Sequence, residues 1–291
     1  MPIDVEKAVG AVFAPTTYEW SDRDVILYHL ALGAGNPPTD EAELRYAYEG
    51  DLHVLPSFGT IPPFGTMMSL GSVEGMDINL TQILHGEQEI EIHRRIPTSG
   101  SVSQEGRVTG VYDKGKGALV VMEIVSADMK SGEPMFTNRS SIFVKGEGGF
   151  GGESGPRAEP TAPDRDPDHV VESPTFPQQA LLYRMSSGDL NPLHADPGFA
   201  MFAGFDRPIL HGLCTYGVSL KAVVGAILDN EPERVRGYRT RFSGVVFPGE
   251  TIVTRIWETS DGIALEASTT ERGEPVLSNG WVEVAPWESV E

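Results

Sequence analysis

Residues 181–217 read LLYRMSSGDLNPLHADPGFAMFAGFDRPILHGLCTYG, and this stretch determines how the rest of the chain is interpreted. It places a carboxylate, an amide and an imidazole close together in sequence, as Asp189, Asn191 and His194. Glycine and proline around them, including Gly188, favour a loop rather than regular secondary structure. The sequence therefore predicts a loop that carries a pair of acid/base side chains.

A long amphipathic pattern begins at Gly212, 18 residues after His194, and predicts a helix over 212–228. The first N–H groups of a helix have no partner within the helix. A helix that starts at Gly212 therefore directs free amide donors, and the positive end of its dipole, towards whatever the loop holds. An acid/base pair beside backbone donors suits chemistry next to a carbonyl group.

Composition narrows the classes of function. The chain has 291 residues and a net charge of −20, which argues against binding along a nucleic-acid backbone but leaves room for one anionic small molecule on a local basic patch. The single cysteine, Cys214, excludes an intrachain disulfide and a four-cysteine zinc site, and favours a reducing compartment. The N-terminus lacks a signal-peptide pattern, and no apolar run approaches the roughly 18 residues that span a bilayer. We expect a cytoplasmic protein with no membrane or nucleic-acid partner.

Gly, Pro and acidic residues concentrate between 146 and 173, where periodicity is lost. This segment predicts a linker at 148–173 between an N-terminal domain, 1–147, and a C-terminal domain, 174–291. Strands are predicted in the first domain near 87–96, 101–112, 118–127 and 135–144. In the second, helices are predicted near 176–185, 197–203 and 212–228, and strands near 238–247, 251–259, 263–270 and 276–284.

The two halves share a short internal repeat. At an offset of 155 residues, 27–37 lies over 182–192 with matching Leu, Tyr, Gly, Asn and Pro. Asp189 then faces Ala34, and His194 faces Thr39. We interpret the chain as two copies of one fold, of which only the second keeps the acid/base groups.

The run from Tyr183 to Pro197 is similar to the hydratase 2 motif of the MaoC-like (R)-specific 2-enoyl-CoA hydratases. One extra residue, in Ser186-Ser187-Gly188, lies upstream of the acid/base pair and leaves its spacing intact. The resemblance covers nearly the whole chain, in the arrangement of the hydratase domain of peroxisomal multifunctional enzyme type 2, and is strongest to actinobacterial members linked to steroid side-chain β-oxidation. Other runs that resemble this family are 84–87, 113–117, 208–217 and 247–250.

This resemblance implies an α+β double hotdog fold, in which each half is a bent antiparallel sheet around a long helix. It implies reversible hydration of trans-2-enoyl-CoA to (3R)-3-hydroxyacyl-CoA in β-oxidation, with no metal and no cofactor beyond the coenzyme A of the substrate, by a homodimer. By motif position, Asp189 and His194 are the catalytic pair, Asn191 orients, and Gly212 is the amide donor to the thioester oxygen. The family positions for substrate or coenzyme A contact fall on His85, Gly86, Lys114 and Phe242.

Structural alternatives exist for several of these residues. Asn191 can form an Asx-turn before Pro192, and its counterpart Asn36 is kept in the half without the pair. A lysine on a turn, such as Lys114, is commonly only solvated. His211 is interpreted as shaping the helix start rather than as catalytic.

Two other functions compete with hydration. In a hotdog thioesterase, Asp189 and water would attack the thioester carbonyl. A non-catalytic acyl-CoA-binding partner subunit is the second alternative, although the intact pair argues against it. If the chain is a hydratase, we expect the first half to provide room for a bulky acyl chain around 54–70, where Gly59, Pro62, Pro63 and Gly65 interrupt the helical pattern.

Overall fold

Successive side chains of a strand point to opposite faces of the sheet. Buried and exposed residues accordingly alternate along the long strands, as in Val102–Val108, so that one face is buried. The computed structural model describes residues 3–78, 83–156 and 159–285. Its strands in the first half are β1 (Thr16–Trp20), β2 (Ile83–Ile92), β3 (Gly100–Asp113), β4 (Gly117–Asp128) and β5 (Pro134–Lys145). Those in the second half are β6 (His169–Pro174), β7 (Val235–Phe242), β8 (Thr251–Glu258), β9 (Ile263–Thr269) and β10 (Pro275–Val284).

The strands of the described residues form one antiparallel sheet in the order β1-β3-β4-β5-β2-β7-β10-β9-β8-β6. The order on one side of the centre is the mirror image of the order on the other side. The halves join where β2 pairs with β7, with Ile90 opposite Tyr238. This topology is that of two hotdog sheets joined edge to edge, and it matches the predicted duplication.

The helices are α1 (Val5–Ala8), α2 (Asp22–Ala31), α3 (Glu41–Leu44), α4 (Phe64–Met68), α5 (Gln179–Ser187), α6 (Pro197–Phe202) and α7 (Gly212–Ile227). The helix predicted from Gly212 is therefore confirmed. The apolar side chains of α7 are buried, and the helix packs against β6, β7 and β8. Within the described residues, no helix has the length and apolar character needed to cross a membrane.

The first half departs from the expected long helix. The corresponding segment contains a 3₁₀ helix at Pro56–Thr60, the five-residue α4, and a second 3₁₀ helix at Ser69–Ser72. Pro62 and Pro63 lie between the first two, and proline cannot supply the N–H that a continuing helix requires. The expectation of a long central helix in each half thus holds only for the second half of the described chain.

The predicted linker is also shorter than expected at one end. The described residues between Lys145 and His169 form neither helix nor strand. However, β6 begins at His169 and pairs with β8, so the prediction of loop up to Ser173 is wrong for the last five positions. Along β6, half-buried residues alternate with exposed ones, and none is fully buried. Its sequence therefore differs too little from the polar residues around it to predict a strand.

Both halves contribute to one hydrophobic core. Helices α2 and α5, which the repeat aligns, pack against each other, and the rings of Tyr28 and Tyr183 lie 6.0 Å apart between centroids. Helix α7 approaches α2 so closely at Gly217 that a Cβ there would lie 2.8 Å from the Leu32 side chain. The loop after α5 and the start of α7 are therefore placed by contacts between the halves.

Candidate active site

The loop after α5 is shaped by its own side chains. Gly188 ends the helix in the left-handed conformation, with φ at 74°, which glycine adopts without strain. The Ser187 Oγ accepts a hydrogen bond from the Asp189 N–H at 3.2 Å, and the Asp189 Oδ1 accepts one from the Asn191 N–H at 3.0 Å. These short-range bonds fix the position of Asp189 at the start of the loop, where the residue is half-buried.

His194 ends the short 3₁₀ turn that follows, and its side chain is buried, with 8% exposure. Its Nδ1 lies 2.9 Å from the Ile209 carbonyl oxygen, which can only accept. The neutral ring therefore carries its proton on Nδ1 and keeps a lone pair on Nε2. Burial lowers the pKa of His194 below its usual 6.5, so the ring is held in the form that accepts a proton.

The structure brings Asp189 and His194 together, as the spacing predicted, and adds His211. One nitrogen or oxygen from each of these residues lies within 4.8 Å of the others. The His211 ring stacks on the His194 ring at 3.7 Å between centroids, with 26° between planes. Its position directly before Gly212 was the available signal, but the sequence did not indicate that the two rings touch.

Three such groups could in principle hold a metal ion, but this arrangement does not fit one. An imidazole binds a metal through a lone pair that lies in the ring plane. The planes of His194 and His211 are stacked, so an ion in the plane of one ring would sit over the face of the other. The geometry therefore suits proton transfer better than metal coordination.

Gly212 is the first residue of α7 and is exposed beside this cluster. Within the part of the chain that the structure describes, its N–H has no acceptor. A Cβ at this position would lie 3.2 Å from the ring of Phe242, so glycine keeps the approach to the amide open. The predicted donor is thus free and next to the acid/base pair.

Phe242 connects this helix start to β2. Its ring lies 4.9 Å from the ring of His85 between centroids, and Gly86 sits at the bulge where β2 loses register with β5. Burial lowers the pKa of His85 to about 4, and its Nε2 donates to the Glu87 carbonyl at 3.1 Å. Phe242 therefore lies against the start of α7, with the neutral ring of His85 beside it. Contact of His85, Gly86 and Phe242 with the substrate stays a prediction from the sequence.

Lys114 is not in contact with this row of residues. It lies exposed at the tip of the β3–β4 hairpin, next to Lys116. Lys145, which pairs with Gly117, is exposed beside the same tip. This end of the sheet is also the end at which β2 begins, because Ile83 pairs with Val144. The three lysines thus form a cluster on the His85 side of the molecule, which also contains the carboxylate of Asp113, bonded to the Gly115 N–H.

Asn191 is exposed, and its Oδ1 accepts the Leu193 N–H at 3.0 Å. This bond is the structural alternative foreseen from the sequence. It leaves the amide NH₂ of Asn191 available for a second, orienting role.

The Phe247–Glu250 turn lies next to a backbone contact with the segment that precedes His211. Glu250 forms a two-point ion pair with Arg272, at 2.6 Å and 2.9 Å. Burial of Glu250 raises its pKa, but Arg272 and the Phe247 N–H outweigh this, and the net pKa is lowered. The neighbouring Val246 carbonyl accepts the Leu210 N–H at 2.7 Å, so the turn anchors the segment that leads into His211.

Comparison with known proteins gives the same picture over both halves. Residues 18–146 match the model described as the MFE-2 hydratase 2 N-terminal domain, and residues 158–279 match the MaoC like domain. Enoyl-CoA hydratase ChsH3 of Mycobacterium tuberculosis is 44% identical over 98% of this chain and 100% of its own length. The chain therefore belongs to the MaoC-like hydratase 2 family.

Solved structures agree with this assignment. A MaoC-like dehydratase from Phytophthora capsici superposes with a TM-score of 0.86 at 32% identity, over 98% of this chain and 100% of that one. Full-length peroxisomal multifunctional enzyme type 2 from Drosophila melanogaster superposes with a TM-score of 0.82 at 37% identity, over 94% of this chain. The present chain spans 48% of that longer protein.

Proposed function

We propose that the protein catalyses the reversible hydration of trans-2-enoyl-CoA to (3R)-3-hydroxyacyl-CoA in β-oxidation. The observation that carries this proposal is the convergence of Asp189 and His194, from one loop, beside the free N–H of Gly212. The names of the relatives, which include enoyl-CoA hydratase and 3-hydroxyacyl-thioester dehydratase, support a lyase. The fold alone would not separate a hydratase from a thioesterase.

The geometry suggests a division of roles. A water held between the Asp189 carboxylate and the His194 Nε2 loses a proton to this pair, and its oxygen bonds to C3. The π electrons move to the thioester, and the enolate oxygen accepts a hydrogen bond from the Gly212 N–H. The pair then returns a proton to C2. Each proton transfer contributes typically ~10²–10⁴-fold, and one oxyanion donor roughly 10²–10³-fold.

The finer features of the proposal follow from the same chemistry. Adding water across a double bond transfers no net electrons, so no cofactor beyond the coenzyme A of the substrate is included. The cluster of Lys114, Lys116 and Lys145 is proposed to contact the phosphates of coenzyme A. A cytoplasmic location stays a prediction from the sequence. A homodimer also stays a prediction, and it is supported by exposed apolar side chains near the loop, such as Phe202 at 88% exposure.

The acyl group is proposed to be long or steroidal. Room for it cannot lie at Gly59, where a Cβ would be 2.6 Å from Ile90. At Gly65 a Cβ would meet nothing within 4 Å, and Met68 is exposed. The wide pocket expected from the broken helix is therefore proposed on the Gly65–Met68 side of the segment.

Hydration is tested by following the loss of enoyl-thioester absorbance, with chiral analysis of the product. Straight-chain C4 and C16 enoyl-CoA are compared with a steroid side-chain enoyl-CoA. We expect a (3R) product and preference for the long or steroidal substrate. Preference for C4 would reject the wide pocket but keep the reaction, and release of free coenzyme A without hydration would favour a thioesterase.

Asp189→Asn tests the assignment of the pair. Asparagine keeps the size and can still accept the Asn191 N–H, but it does not act as a base. We expect kcat to fall by about 10²–10⁴-fold with little change in thermal stability. Unchanged hydration by this variant would remove Asp189 from the mechanism.

A further inference from the structure

His211 is held by two contacts that involve both members of the candidate pair. Its ring stacks on His194 at 3.7 Å between centroids. Its Nε2 lies 3.3 Å from the Asp189 carbonyl oxygen and donates to it, since that oxygen can only accept. The side chain is 2% exposed, and within the described residues its Nδ1 has no hydrogen-bond partner.

The surroundings of His211 keep its ring uncharged. Burial, and then the neighbouring His194, lower the pKa of His211 to about 2. The other titratable groups that face it are Asp189 on the loop and, from α5, Tyr183 and Arg184. When His194 gains a proton during the reaction, it does so against a neutral aromatic face rather than against a second positive charge.

The internal repeat gives an independent argument. At the same offset of 155 residues, His211 falls on Pro56, which begins a 3₁₀ helix one position before the residue that corresponds to the start of α7. The first half thus lacks Asp189, His194 and His211 together, with Ala34, Thr39 and Pro56 in their places. In contrast, the glycine and asparagine of the loop are kept in both halves, as Gly33 and Asn36 in the first.

We propose that His211 is a positioning residue, which fixes the ring plane of His194 by stacking and the backbone of Asp189 by its hydrogen bond. This inference rests on the proposed hydration for its kinetic consequence, but its structural part does not depend on the identity of the substrate. A small misplacement of the reacting groups is enough to cost about 10²-fold in rate.

Two variants separate the two contacts. His211→Phe keeps a flat ring against His194 and loses the donor to Asp189, whereas His211→Gln keeps a donor and loses the ring. For each we expect kcat to fall by about 10- to 100-fold, with KM for the enoyl-CoA changed less than about 3-fold. In His211→Gln, the exposed His194 should also titrate closer to 6.5, and in His211→Phe it should not.

His29→Gln is the matched control. His29 is a buried histidine whose two ring nitrogens both bond within the first half, Nδ1 to the Tyr46 carbonyl at 2.9 Å and Nε2 to the Leu55 N–H at 3.2 Å. This variant should lose thermal stability while the folded protein keeps its kcat. If the His211 variants behave as this control does, the positioning role is wrong.

Titration of His194 by NMR, on protein with labelled histidine, distinguishes the two levels of the proposal. If the wild-type protein hydrates no enoyl-CoA, the proposed function fails, yet the shift of His194 in His211→Gln still measures the stacking contact. An unchanged His194 titration in that variant would overturn the inference, whatever the activity.

Discussion

At the scale of the residue, hydrogen bonding distinguishes the buried histidines from one another. His29 uses both nitrogens, because Nδ1 bonds to the Tyr46 carbonyl and Nε2 accepts the Leu55 N–H at 3.2 Å. Among the residues that the structure describes, His194 bonds only through Nδ1, which leaves the Nε2 lone pair beside Asp189 without a partner. The same residue type is therefore structural in the first half and available for proton transfer in the second.

The state of His194 predicts the pH dependence of hydration. The ring acts as a base only when it is neutral, and burial lowers its pKa below 6.5. The hydration rate should therefore stay constant as pH falls to 6.5, and should decrease only as pH falls through the lower pKa of the folded protein. A profile of kcat/KM against pH measures this, and His194→Gln should lower the plateau. A decrease that begins well above pH 6.5 would contradict the assignment.

At the scale of the element, the start of α7 contributes a backbone N–H, that of Gly212, to the proposed mechanism rather than a side chain. His211 has extended backbone angles, with φ at −60° and ψ at 135°, which a following proline tolerates. Proline is also accepted at the first position of a helix, where its missing N–H is not needed for the helix. The chain therefore allows a substitution that removes the donor and leaves the helix intact.

Gly212→Pro should lower kcat by roughly 10²–10³-fold relative to Gly212→Ala. The alanine variant is the matched control, because it adds the same Cβ near Phe242 but retains the N–H. Circular dichroism of both variants checks that α7 is kept. Equal kcat values for the two folded variants would show that this amide does not stabilise the enolate.

At the scale of the whole molecule, the position of the active loop depends on the contact between the halves. Helix α7 belongs to the second half, but Gly217 on it lies against Tyr28 of α2 and against Leu32, the residue that follows α2. A Cβ at this position would lie 2.8 Å from the ends of both side chains, so these neighbours would have to shift to make room for it. The close approach of α7 to α2 is therefore a property of the duplicated molecule and not of either half alone.

Gly217→Ala tests this contact. The added methyl group should overpack the junction and lower the free energy of unfolding by about 1–3 kcal/mol. Gly225→Ala, on the same helix, is the control: its Cβ meets an ordinary contact at 3.5 Å, and we expect a gain of about 0.5–1 kcal/mol. Urea unfolding measures both. Similar effects of the two substitutions would mean that the junction is not tightly packed.

Much of this protein was predictable from local sequence. Asp189, Asn191 and His194 lie on one loop bounded by Gly188, and the period of apolar residues gave α7 to within one residue at its end. These features depend on the conformational limits of glycine and proline and on helical periodicity, which act over a few residues. The double hotdog architecture also followed from the repeat and from the family resemblance.

Other features were beyond local patterns. The prolines at 62 and 63 predict an interruption of the helical pattern, but only the folded chain shows three short helical pieces in place of one long helix. Similarly, β6 has a polar sequence and is a strand because β8 offers it a partner at the sheet edge. Strand pairing of this kind is set by residues more than 75 positions apart, as between Glu172 and Val253.

The sequence by itself determined the chemical groups of the site and the loop and helix that carry them, because those depend on neighbouring residues. Only the tertiary structure decided which groups meet: His211 stacks on His194, and Phe242 joins Gly212 to His85. The physical reason is that side-chain contacts, burial and the resulting lowering of the histidine pKa values arise from packing between distant segments, which no spacing along the chain encodes.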